Sequence, residues 1–465
     1  MCRSTAKAGE AEKQGRKSAS TSHQTSSSRE LIDTSPPRGT RDFDPQDMRL
    51  RSWLFGHWEV VSRQCGFEQV DFPVVENEEL FVRKAGEEIT SQLYNFEDKG
   101  QRRLALRPEL TPSLARLVLK KAKSLPLPAK WWTIGQCWRY ERMTRGRRRE
   151  HYQWNCDIIG LEGVAAEAEL LAAITLFFQR VGITPADVGI KVNSRKSLQA
   201  VLTQAGVPED SFAAVCVVVD KIEKLPREKV LEELAGVGVA DTAAEKIMAA
   251  MGTRSLDDLA QLLGSDNEAV SDLRRLFQLA EAYGMADWLA FDASVVRGLS
   301  YYTGIVFEGF DKQGVLRAIC GGGRYDGLLG ALGGENQPMC GFGFGDAVIM
   351  ELLQDRGLLP DLGHEVDDLV LALDEDLRPQ ASGIAQQLRK KGRRVDLVLE
   401  GGRRMKWAFK HAERINAQQL VLVGQEEWAE GKVRVKNLGT REQEDMSVEA
   451  LIHSLTLSKL TATAS

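Results

Sequence analysis

The sequence has neither a long apolar run nor closely paired cysteines. No apolar stretch approaches the roughly 18 residues that a membrane-spanning helix requires, so no membrane segment is predicted. The seven cysteines are dispersed along the chain, without a CxxC pair. An odd, dispersed set is typical of a reducing compartment, and it argues against both a disulfide framework and a zinc site.

Common nucleotide-binding and hydrolase motifs are also absent. The sequence contains no GxxxxGK[ST] phosphate loop, no strand–GxGxxG–helix fingerprint, no HExxH and no GxSxG. A nucleotide, if bound, must then be held on a sheet by arginines. Because the net charge is −5, any contact with nucleic acid must depend on local basic patches rather than on global attraction.

The remaining composition describes a folded chain of several domains with a distinct first segment. Apolar residues make up 43% and charged residues 27%, and 465 residues predict two to four domains. Residues 1–32 are rich in Ser, Thr, Lys and Ala and carry no aromatic residue. We expect a disordered tail there. Its composition also resembles an organelle transit peptide, although Glu10 and Glu12 are unusual in one.

Residues 33–194 combine strands with helices. Hydrophobic spacing predicts a helix, three strands and two further helices, at residues 45–65, 67–75, 92–97, 103–106, 114–123 and 165–181. Many antiparallel strands with helices around them predict an α+β layer rather than a doubly wound sheet.

Two further blocks follow. Residues 195–289 are mostly helical, and strand character returns at residues 290–356, so the helical block is expected to interrupt one sheet as an insertion. Residues 366–460 show a βαβαβ pattern, which predicts a small parallel sheet. The helices of that last block carry many Lys and Arg residues, which fit a solvated surface and an RNA-binding surface equally well.

The stretch RYERMTRGRRREHYQWNCDIIG, at residues 139–160, is the most informative part of the chain. It begins with six arginines in eleven residues and then becomes strand-like. This order predicts a hairpin: one strand carries Arg139 and Glu141 inward, a basic loop projects, and a second strand returns. Since arginine binds phosphate bidentately, the hairpin is a candidate phosphate clamp. The alternative is a basic surface loop on a sheet edge.

Two more arginine-bearing segments strengthen the phosphate interpretation. Residues 107–111, RPELT, place an acid and a hydroxyl beside an arginine at a predicted strand end. Arg297 precedes Gly298, and glycine allows a ligand or backbone to come close. A structural ion pair explains any one of these segments, but three of them on one predicted sheet favour a polyanion site.

Taken together, these segments resemble class II histidyl-tRNA synthetases over residues 36–455. The resemblance is carried by residues 107–111 and 139–160, by RGLSYYTG at residues 297–304, and by GGGRYDG at residues 321–327. The usual RGLDYYTG of the family differs only at Ser300. The pair of glycine-containing motifs separates the histidine enzymes from other class II synthetases.

The resemblance implies a domain order and an activity. The implied domains are a catalytic domain on an antiparallel sheet (residues 33–194 and 290–356), a helical insertion (195–289) and an α/β anticodon-binding domain (366–460). The implied reaction activates L-histidine with ATP to histidyl-adenylate, releases pyrophosphate, and transfers histidine to the 3′ end of tRNA(His). Residues 72–76, FPVVE, resemble the first class II motif, which implies a homodimer.

The resemblance also assigns roles in handling ATP. Arg139 and Arg297 match the catalytic arginines on opposite sides of the ATP α-phosphate. Glu141 matches a residue near the nucleotide and its Mg²⁺, and no metal site built by protein alone is implied. Arg147 and Arg149 match the loop that reaches the ATP phosphates and the tRNA acceptor end.

A second set of positions matches the histidine site of the family. Glu109, Thr111 and Gln153 match residues that bind the α-amino group. Asp157 and Tyr302 match those that bond to the imidazole, where a carboxylate favours a ring N–H donor. Tyr301 is left either as a ligand or as a core residue with Tyr302 alone as the ligand, because adjacent residues of a strand face opposite ways.

One motif departs from the family pattern. The third class II motif reads GxGxER, and its arginine contacts the ATP γ-phosphate. Here the segment at residues 341–349 is GFGFGDAVI, with Ala347 and Val348 in place of the acid and the arginine. Loss of that contact should cost about 1.5–3 kcal/mol of ATP binding if nothing replaces it. This form resembles cyanobacterial and plant-organelle versions, and we expect Arg147 or Arg324 to replace the contact.

Alternatives remain for function and location. The regulatory subunit of ATP phosphoribosyltransferase is a non-catalytic paralogue that shares the catalytic fold and binds histidine. It typically lacks the C-terminal βαβ domain, which the sequence predicts here, and Arg297 and the basic loop are both present. The tail and the third motif favour a chloroplast or a mitochondrion as the compartment, with the cytoplasm as the alternative.

Overall fold

The computed structural model describes residues 32–83, 90–121, 124–222, 225–296, 301–400 and 403–453. Arg297 and the three residues after it lie outside these ranges, as does the tail predicted at residues 1–32 apart from its last residue. The six cysteines within the described ranges are free thiols. No helix in these ranges is long and apolar enough to cross a membrane.

The described residues form three sheets. Their strands are β1 (Glu68–Gln69), β2 (Val75–Asn77), β3 (Tyr94–Glu97), β4 (Arg103–Leu106), β5 (Ala129–Trp138), β6 (Glu150–Ile159), β7 (Val188–Ser194), β8 (Leu289–Phe291), β9 (Ile305–Asp311), β10 (Cys320–Arg324), β11 (Met339–Gly345), β12 (Val366–Ala372), β13 (Val395–Leu397), β14 (Ala417–Val423), β15 (Lys432–Asn437) and β16 (Gln443–Ser447).

The largest sheet has eight strands in the order β1-β5-β6-β11-β10-β9-β7-β8. All neighbours are antiparallel except the pairs at the two edges, β1–β5 and β7–β8, which are parallel. A small antiparallel sheet, β2-β4-β3, lies before the hairpin β5–β6 in the chain. The α+β prediction is therefore confirmed.

The α-helices of the described residues surround these sheets. They are Pro45–Gln64, Glu79–Val82, Thr111–Lys121, Ala165–Arg180, Arg195–Gln204, Phe212–Val219, Arg227–Gly236, Asp241–Met251, Leu256–Leu263, Glu268–Ala282, Leu328–Ala331, Asp346–Asp355, Arg378–Lys390, Met405–Arg414 and Gln425–Ala429. Six of them, from Arg195–Gln204 to Glu268–Ala282, lie between β7 and β8, two strands that pair with each other.

One face of the eight-stranded sheet is covered by the helices Pro45–Gln64 and Ala165–Arg180. The first begins with proline at its start and with an Asp44 cap that accepts two backbone N–H groups. Its Trp58 stacks on Trp154 of β6 at 5.9 Å between ring centroids, and both side chains are fully buried. The apolar side chains of β6 at even positions therefore form the core, and its odd positions point to the other face.

The C-terminal sheet has the order β13-β12-β14-β15-β16. Strands β12, β13 and β14 are parallel, as the βαβαβ pattern predicts. The sheet is larger than the small parallel sheet predicted, because β15 and β16 add two antiparallel strands. These strands are rich in charged residues and bear a cross-strand ion pair between Arg434 and Asp445 at 2.8 Å, so hydrophobic periodicity does not reveal them.

Candidate active site

The opposite face of the large sheet bears a row of polar side chains beside a row of glycines. Gln153 and Asp157 lie on β6 with Asn155 between them, and side chains at every second position share a face. The residues paired with these three positions on β11 are all glycines: Gly345, Gly343 and Gly341. We call these three residues the glycine floor. Without side chains there, a ligand can lie directly against the backbone beside Gln153 and Asp157.

Asp157 is buried and depends on the glycine opposite it. A Cβ atom on Gly341 would lie 1.9 Å from the Asp157 Oδ1 atom, so a side chain cannot stand there unless the carboxyl moves. The hydroxyl of Tyr325 donates a hydrogen bond to the same carboxyl. Burial raises the pKa of Asp157 to about 7, and the Tyr325 bond opposes that rise. The carboxyl can therefore change its charge near neutral pH.

A second buried acid lies in the same cluster. The hydroxyl of Tyr301 donates a hydrogen bond to Glu109 at 3.0 Å. The Tyr301 ring lies 5.0 Å from that of Tyr302 and 5.8 Å from that of Tyr325, so the two acids are connected through aromatic contacts. Burial and the Glu109 charge raise the pKa of Tyr301 well above its usual value, which keeps this hydroxyl protonated. We call Glu109, Asp157, Tyr301, Tyr302 and Tyr325 the carboxylate–tyrosine cluster.

The two tyrosines at 301 and 302 do not alternate as residues of a strand do. Strand β9 begins only at Ile305, so the expectation that they face opposite sides was wrong. Both side chains are half-buried and their rings touch. Tyr301 contacts Glu109 through its hydroxyl, so it is a member of the cluster and not simply a core residue.

Thr111 and Gln153 border this cluster. Thr111 is the first residue of the helix Thr111–Lys121, three residues earlier than the sequence predicts, and it is buried. Gln153 lies half-buried on β6, where its Oε1 atom accepts a long bond from the Cys137 thiol at 3.6 Å. The structure thus brings Glu109, Gln153 and Asp157 to the same face of the sheet.

Arg107 holds backbone segments next to the site and is not a candidate ligand for an anion. Its Nε atom donates to the Gln136 carbonyl at 2.8 Å, and its Nη1 atom donates to the Phe72 carbonyl at 2.6 Å. The residue is 3% exposed. The segment at residues 107–111 therefore contributes Glu109 and Thr111 to the candidate site. Its arginine binds backbone carbonyls instead.

Arg139 and Glu141 lie beyond the end of a strand. Strand β5 ends at Trp138, so the expectation that both residues share a strand face was wrong. The Glu141 N–H donates to the Arg139 carbonyl at 2.9 Å, which marks a tight turn rather than extended backbone. The Arg139 Nε atom donates to the Pro108 carbonyl at 2.9 Å. That bond orients the half-buried side chain beside Glu109, and its two Nη groups make no hydrogen bond within the described residues.

Residues 139–149, the basic loop, are anchored by their own charges. Arg147 forms an ion pair with Glu141. The guanidinium of Arg149 lies over the Tyr140 ring at 3.9 Å. Arg145 reaches out of the loop to Glu351 at 2.9 Å and Asp355 at 2.6 Å. The loop is therefore held against the helix Asp346–Asp355.

The loop contacts that helix at Val348, the residue in place of the motif arginine. Gly146 lies so close that a Cβ atom built on it would be 3.1 Å from the Val348 Cγ2 atom. Gly146 also has a φ of +68°, which suits glycine. Val348 is 6% exposed. The position is thus filled by an apolar contact between the loop and the helix.

Arg324 does not fit the role of phosphate ligand that the sequence assigns to it. Its Nε and Nη2 atoms bind Glu167 at 2.6 and 2.8 Å, and its side chain is 8% exposed. Its Nη atoms also donate to the carbonyls of Leu161 and Gly163. All three nitrogens are engaged in a buried network, so this expectation was wrong. The motif GGGRYDG suggests a charge at the site but does not indicate which way the arginine points.

Two residues of this face were not assigned a role from the sequence. Tyr325, which follows Arg324 in the chain, donates a hydrogen bond from its hydroxyl to Asp157. Asn155 is 3% exposed, and its Oδ1 atom has no hydrogen-bond partner among the described residues. The signal for Asn155 is its place in QWNCD, since alternation on β6 puts it on the same face as Gln153 and Asp157. An unpaired buried carbonyl oxygen on this face is a candidate contact for a donor group of the ligand.

Comparisons with known proteins identify the family of the chain. Residues 39–346 match the histidyl-tRNA synthetase family, and residues 367–456 match the anticodon-binding domain family. The Arabidopsis thaliana protein named histidine–tRNA ligase, chloroplastic/mitochondrial, is 61% identical over 412 residues, which cover 89% of this chain and 85% of that protein.

More distant relatives extend the similarity. The histidine–tRNA ligase of Halobacterium salinarum is 38% identical over 416 residues, which cover 89% of this chain and 96% of that protein. The crystal structure of histidyl-tRNA synthetase from Nostoc sp. PCC 7120 superposes with a TM-score of 0.74 at 26% identity and covers 92% of this chain and 100% of that chain. The chain therefore belongs to the histidyl-tRNA synthetase family of class II aminoacyl-tRNA synthetases.

Proposed function

We propose that this chain is a histidine–tRNA ligase that acts in protein synthesis. It activates L-histidine with ATP, releases pyrophosphate, and transfers histidine from the adenylate to the 3′ end of tRNA(His). The observation that carries the proposal is the junction of the carboxylate–tyrosine cluster with Arg139, whose Nε atom is bonded to the backbone beside Glu109. An amino-acid site and a phosphate site therefore meet on one face of the sheet.

The carboxylate–tyrosine cluster suits histidine. Asp157 and Tyr302 are proposed to bind the imidazole, because a buried carboxylate that still has lone pairs to accept a hydrogen bond favours a ring N–H donor. Glu109, Thr111 and Gln153 are proposed to bind the α-amino group. Glu109 is 6% exposed and already accepts one hydrogen bond, so a second, cationic donor would complete the pairing of a buried charge. Tyr301 orients Glu109 for that contact.

Formation of the adenylate needs no protein nucleophile. A carboxylate oxygen of histidine attacks the α-phosphorus of ATP, the bond to the bridging oxygen breaks, and pyrophosphate leaves. Negative charge builds on the phosphoryl oxygens, and Arg139 and Arg297 are proposed to stabilise it from opposite sides. Arg139 is suited to this because its Nε bond to the Pro108 carbonyl fixes the side chain before substrate binds.

Mg²⁺ is proposed to enter with ATP. The described residues offer no cluster of three acidic, His or Cys side chains for a metal. Glu141 is the carboxylate proposed to contact the Mg²⁺ ion. It lies at the base of the basic loop, where it pairs with Arg147. This fits a magnesium ion that takes most ligands from phosphate and water and one carboxylate from protein. When bound, the ion neutralises charge on the triphosphate.

The tRNA is proposed to meet two parts of the chain. The basic loop, with Arg147 and Arg149, reaches the acceptor end, where the terminal ribose hydroxyl attacks the carbonyl carbon of the adenylate and AMP leaves. The α/β domain at residues 366–460 binds the anticodon. The catalytic domain comprises residues 33–194 and 290–356, with the helical insertion at 195–289. Basic helices in the C-terminal domain support this assignment, since phosphate contacts supply much of the affinity for RNA.

Two further features are proposed from the family and its organellar relative. The chain forms a homodimer, with residues 72–76 at the interface. It works in a chloroplast or a mitochondrion, in keeping with the name of the Arabidopsis relative and with the basic, Ser/Thr-rich composition of residues 1–32. Sedimentation of the full chain tests the dimer. A fusion of residues 1–40 to a fluorescent protein tests the targeting, and diffuse cytoplasmic fluorescence would contradict it.

Charging of a tRNA(His) transcript with labelled histidine tests the activity. We expect ATP-dependent charging by the full chain and none of a tRNA(Phe) transcript. The competing possibility is a histidine-binding regulatory paralogue, which would bind histidine without charging any tRNA. Saturable histidine binding with no charging would overturn the proposal in favour of that paralogue.

A further inference from the structure

Arg317 lies in the connection between β9 and β10, three residues before β10 begins. Cys320 of β10 pairs with Phe344 of β11, and Phe344 pairs with Trp154 of β6. Strand β11 is antiparallel to both neighbours, so β10 and β6 run in the same direction. The end of the sheet where β10 begins is therefore also the end where β11 leads into the helix Asp346–Asp355 and where β6 begins after the basic loop. The connection that holds Arg317 and the start of the helix that holds Val348 thus lie at the same end of the sheet.

The charges around Arg317 belong to the ATP side of the site. Partial desolvation of the Arg317 guanidinium and the nearby charge of Arg147 lower the pKa of Arg317, and Arg139 acts in the same direction. Glu141 and Glu308 act against them. The basic loop and the connection between β9 and β10 therefore converge on one region, although they are separated by more than 160 residues in the chain.

The arginines of this region differ in what they bind. Arg147 pairs with Glu141, Arg145 pairs with two acids of the neighbouring helix, and Arg324 is used up in its buried network with Glu167. Arg317 is exposed and makes no hydrogen bond or ion pair within the described residues. It is thus a cation held among like charges without a carboxylate of its own, which is the setting that a polyanion would stabilise.

We propose that Arg317 binds the terminal phosphates of ATP and replaces the arginine that the third motif lacks at Val348. The inference rests on the proposed function and adds a specific ligand contact to it. Arg139 takes the α-phosphate, while Arg317, together with Arg147, takes the β- and γ-phosphates at the open end of the site. Val348 and Gly146 close the original position with an apolar contact, so the phosphate contact must come from another element, and the connection between β9 and β10 supplies a guanidinium.

Nucleotides of different phosphate length test this assignment. Titration calorimetry of the full chain with ATP and with AMP separates the terminal phosphates from the rest of the nucleotide, since AMP retains adenine, ribose and the α-phosphate. We expect Arg317→Ala to weaken ATP binding by about tenfold to a hundredfold, the factor for one charge-assisted phosphate contact, and to change AMP binding by less than about threefold. Arg317→Lys should recover part of the loss.

Lys312→Ala is the matched control. Lys312 is an exposed cation of the same connection, so its removal changes net charge by the same amount away from the site. We expect it to leave both affinities unchanged. Equal losses for ATP and AMP in Arg317→Ala would indicate a structural role and overturn the inference, as would unchanged ATP binding. Failure of the unmodified chain to charge tRNA would overturn the proposed function instead, and the binding measurement needs no turnover.

Discussion

The hydroxyl of Tyr325 and the carboxyl of Asp157 form a buried hydrogen bond on the glycine-floor face of the large sheet. Asp157 is 4% exposed, and burial raises its pKa to about 7. Its charge therefore changes in the pH range in which the imidazole of histidine also titrates.

Stability should depend on pH through Asp157. Its pKa is raised above the ordinary value of 3.8, so the folded state holds the proton more tightly than the unfolded chain does. That stabilisation is complete below about pH 4 and is lost as the pH rises to about 7. Asp157→Asn should remove this dependence, so the variant should gain stability relative to the unmodified protein between pH 5 and pH 8. Denaturant unfolding of both proteins at pH 5 and at pH 8 measures the difference in their free energies of unfolding. The same difference at the two pH values would contradict the prediction.

Histidine binding should show the opposite effect of the same substitution. Asp157→Asn cannot supply a negative charge to the imidazole, so we expect histidine affinity at pH 8 to fall by about tenfold or more. Affinity of the unmodified protein should rise as the pH increases through about 7, beyond the change caused by the ligand itself. Calorimetry across this pH range measures the difference. The Asp157→Asn variant reports the change that titration of histidine itself causes. Identical pH profiles for the two proteins would contradict the assignment.

The glycine floor offers a pair of substitutions that differ by one step along β11. Gly341→Ala places a Cβ atom 1.9 Å from the Asp157 Oδ1 atom, so we expect a loss of stability of about 1–3 kcal/mol. Gly343→Ala meets nothing nearer than 3.6 Å, from the Asn155 Oδ1 atom, and should fold normally. Its methyl group nevertheless stands on the floor and should weaken substrate binding. Thermal unfolding and histidine binding of both variants check the contrast.

Asn155 should matter for binding more than for stability. Its Oδ1 atom has no hydrogen-bond partner among the described residues, so Asn155→Ala removes a polar atom without leaving another one unpaired. We expect the free energy of unfolding to change by less than about 1 kcal/mol beyond the packing loss, while the KM for histidine or ATP in the activation step rises severalfold. A large loss of stability with unchanged KM would show that the amide is structural.

The ion pair between Arg324 and Glu167 should behave as a structural element. Glu167 is fully buried, and its loss leaves the Arg324 charge uncompensated. We expect Glu167→Ala to lower the free energy of unfolding by about 3–5 kcal/mol. Glu167→Gln, which keeps the shape, should cost less. Denaturant unfolding measures both, and a neutral Glu167→Ala would contradict the role assigned to the pair.

The sequence predicts the α+β fold, the interruption of one sheet by helices and the hairpin at residues 139–160, because these depend on periodicity and local composition. It does not predict where a guanidinium points. Arg107 and Arg324 share the composition of a phosphate site but bind carbonyls and Glu167. Arg317 lies in a connection without a motif of its own. Its proximity to Arg147 follows from strand order, a long-range property that hydrophobic patterns do not encode.

Histidine-dependent exchange of pyrophosphate with ATP tests the central claim most directly. The assay measures adenylate formation alone, so it does not depend on the choice of tRNA. We expect exchange by the full chain that requires histidine, and a loss of at least about a hundredfold in Arg297→Ala, because a group that stabilises transition-state charge typically contributes that much. Exchange in the unmodified chain no greater than in that variant would contradict the assignment as a histidine–tRNA ligase.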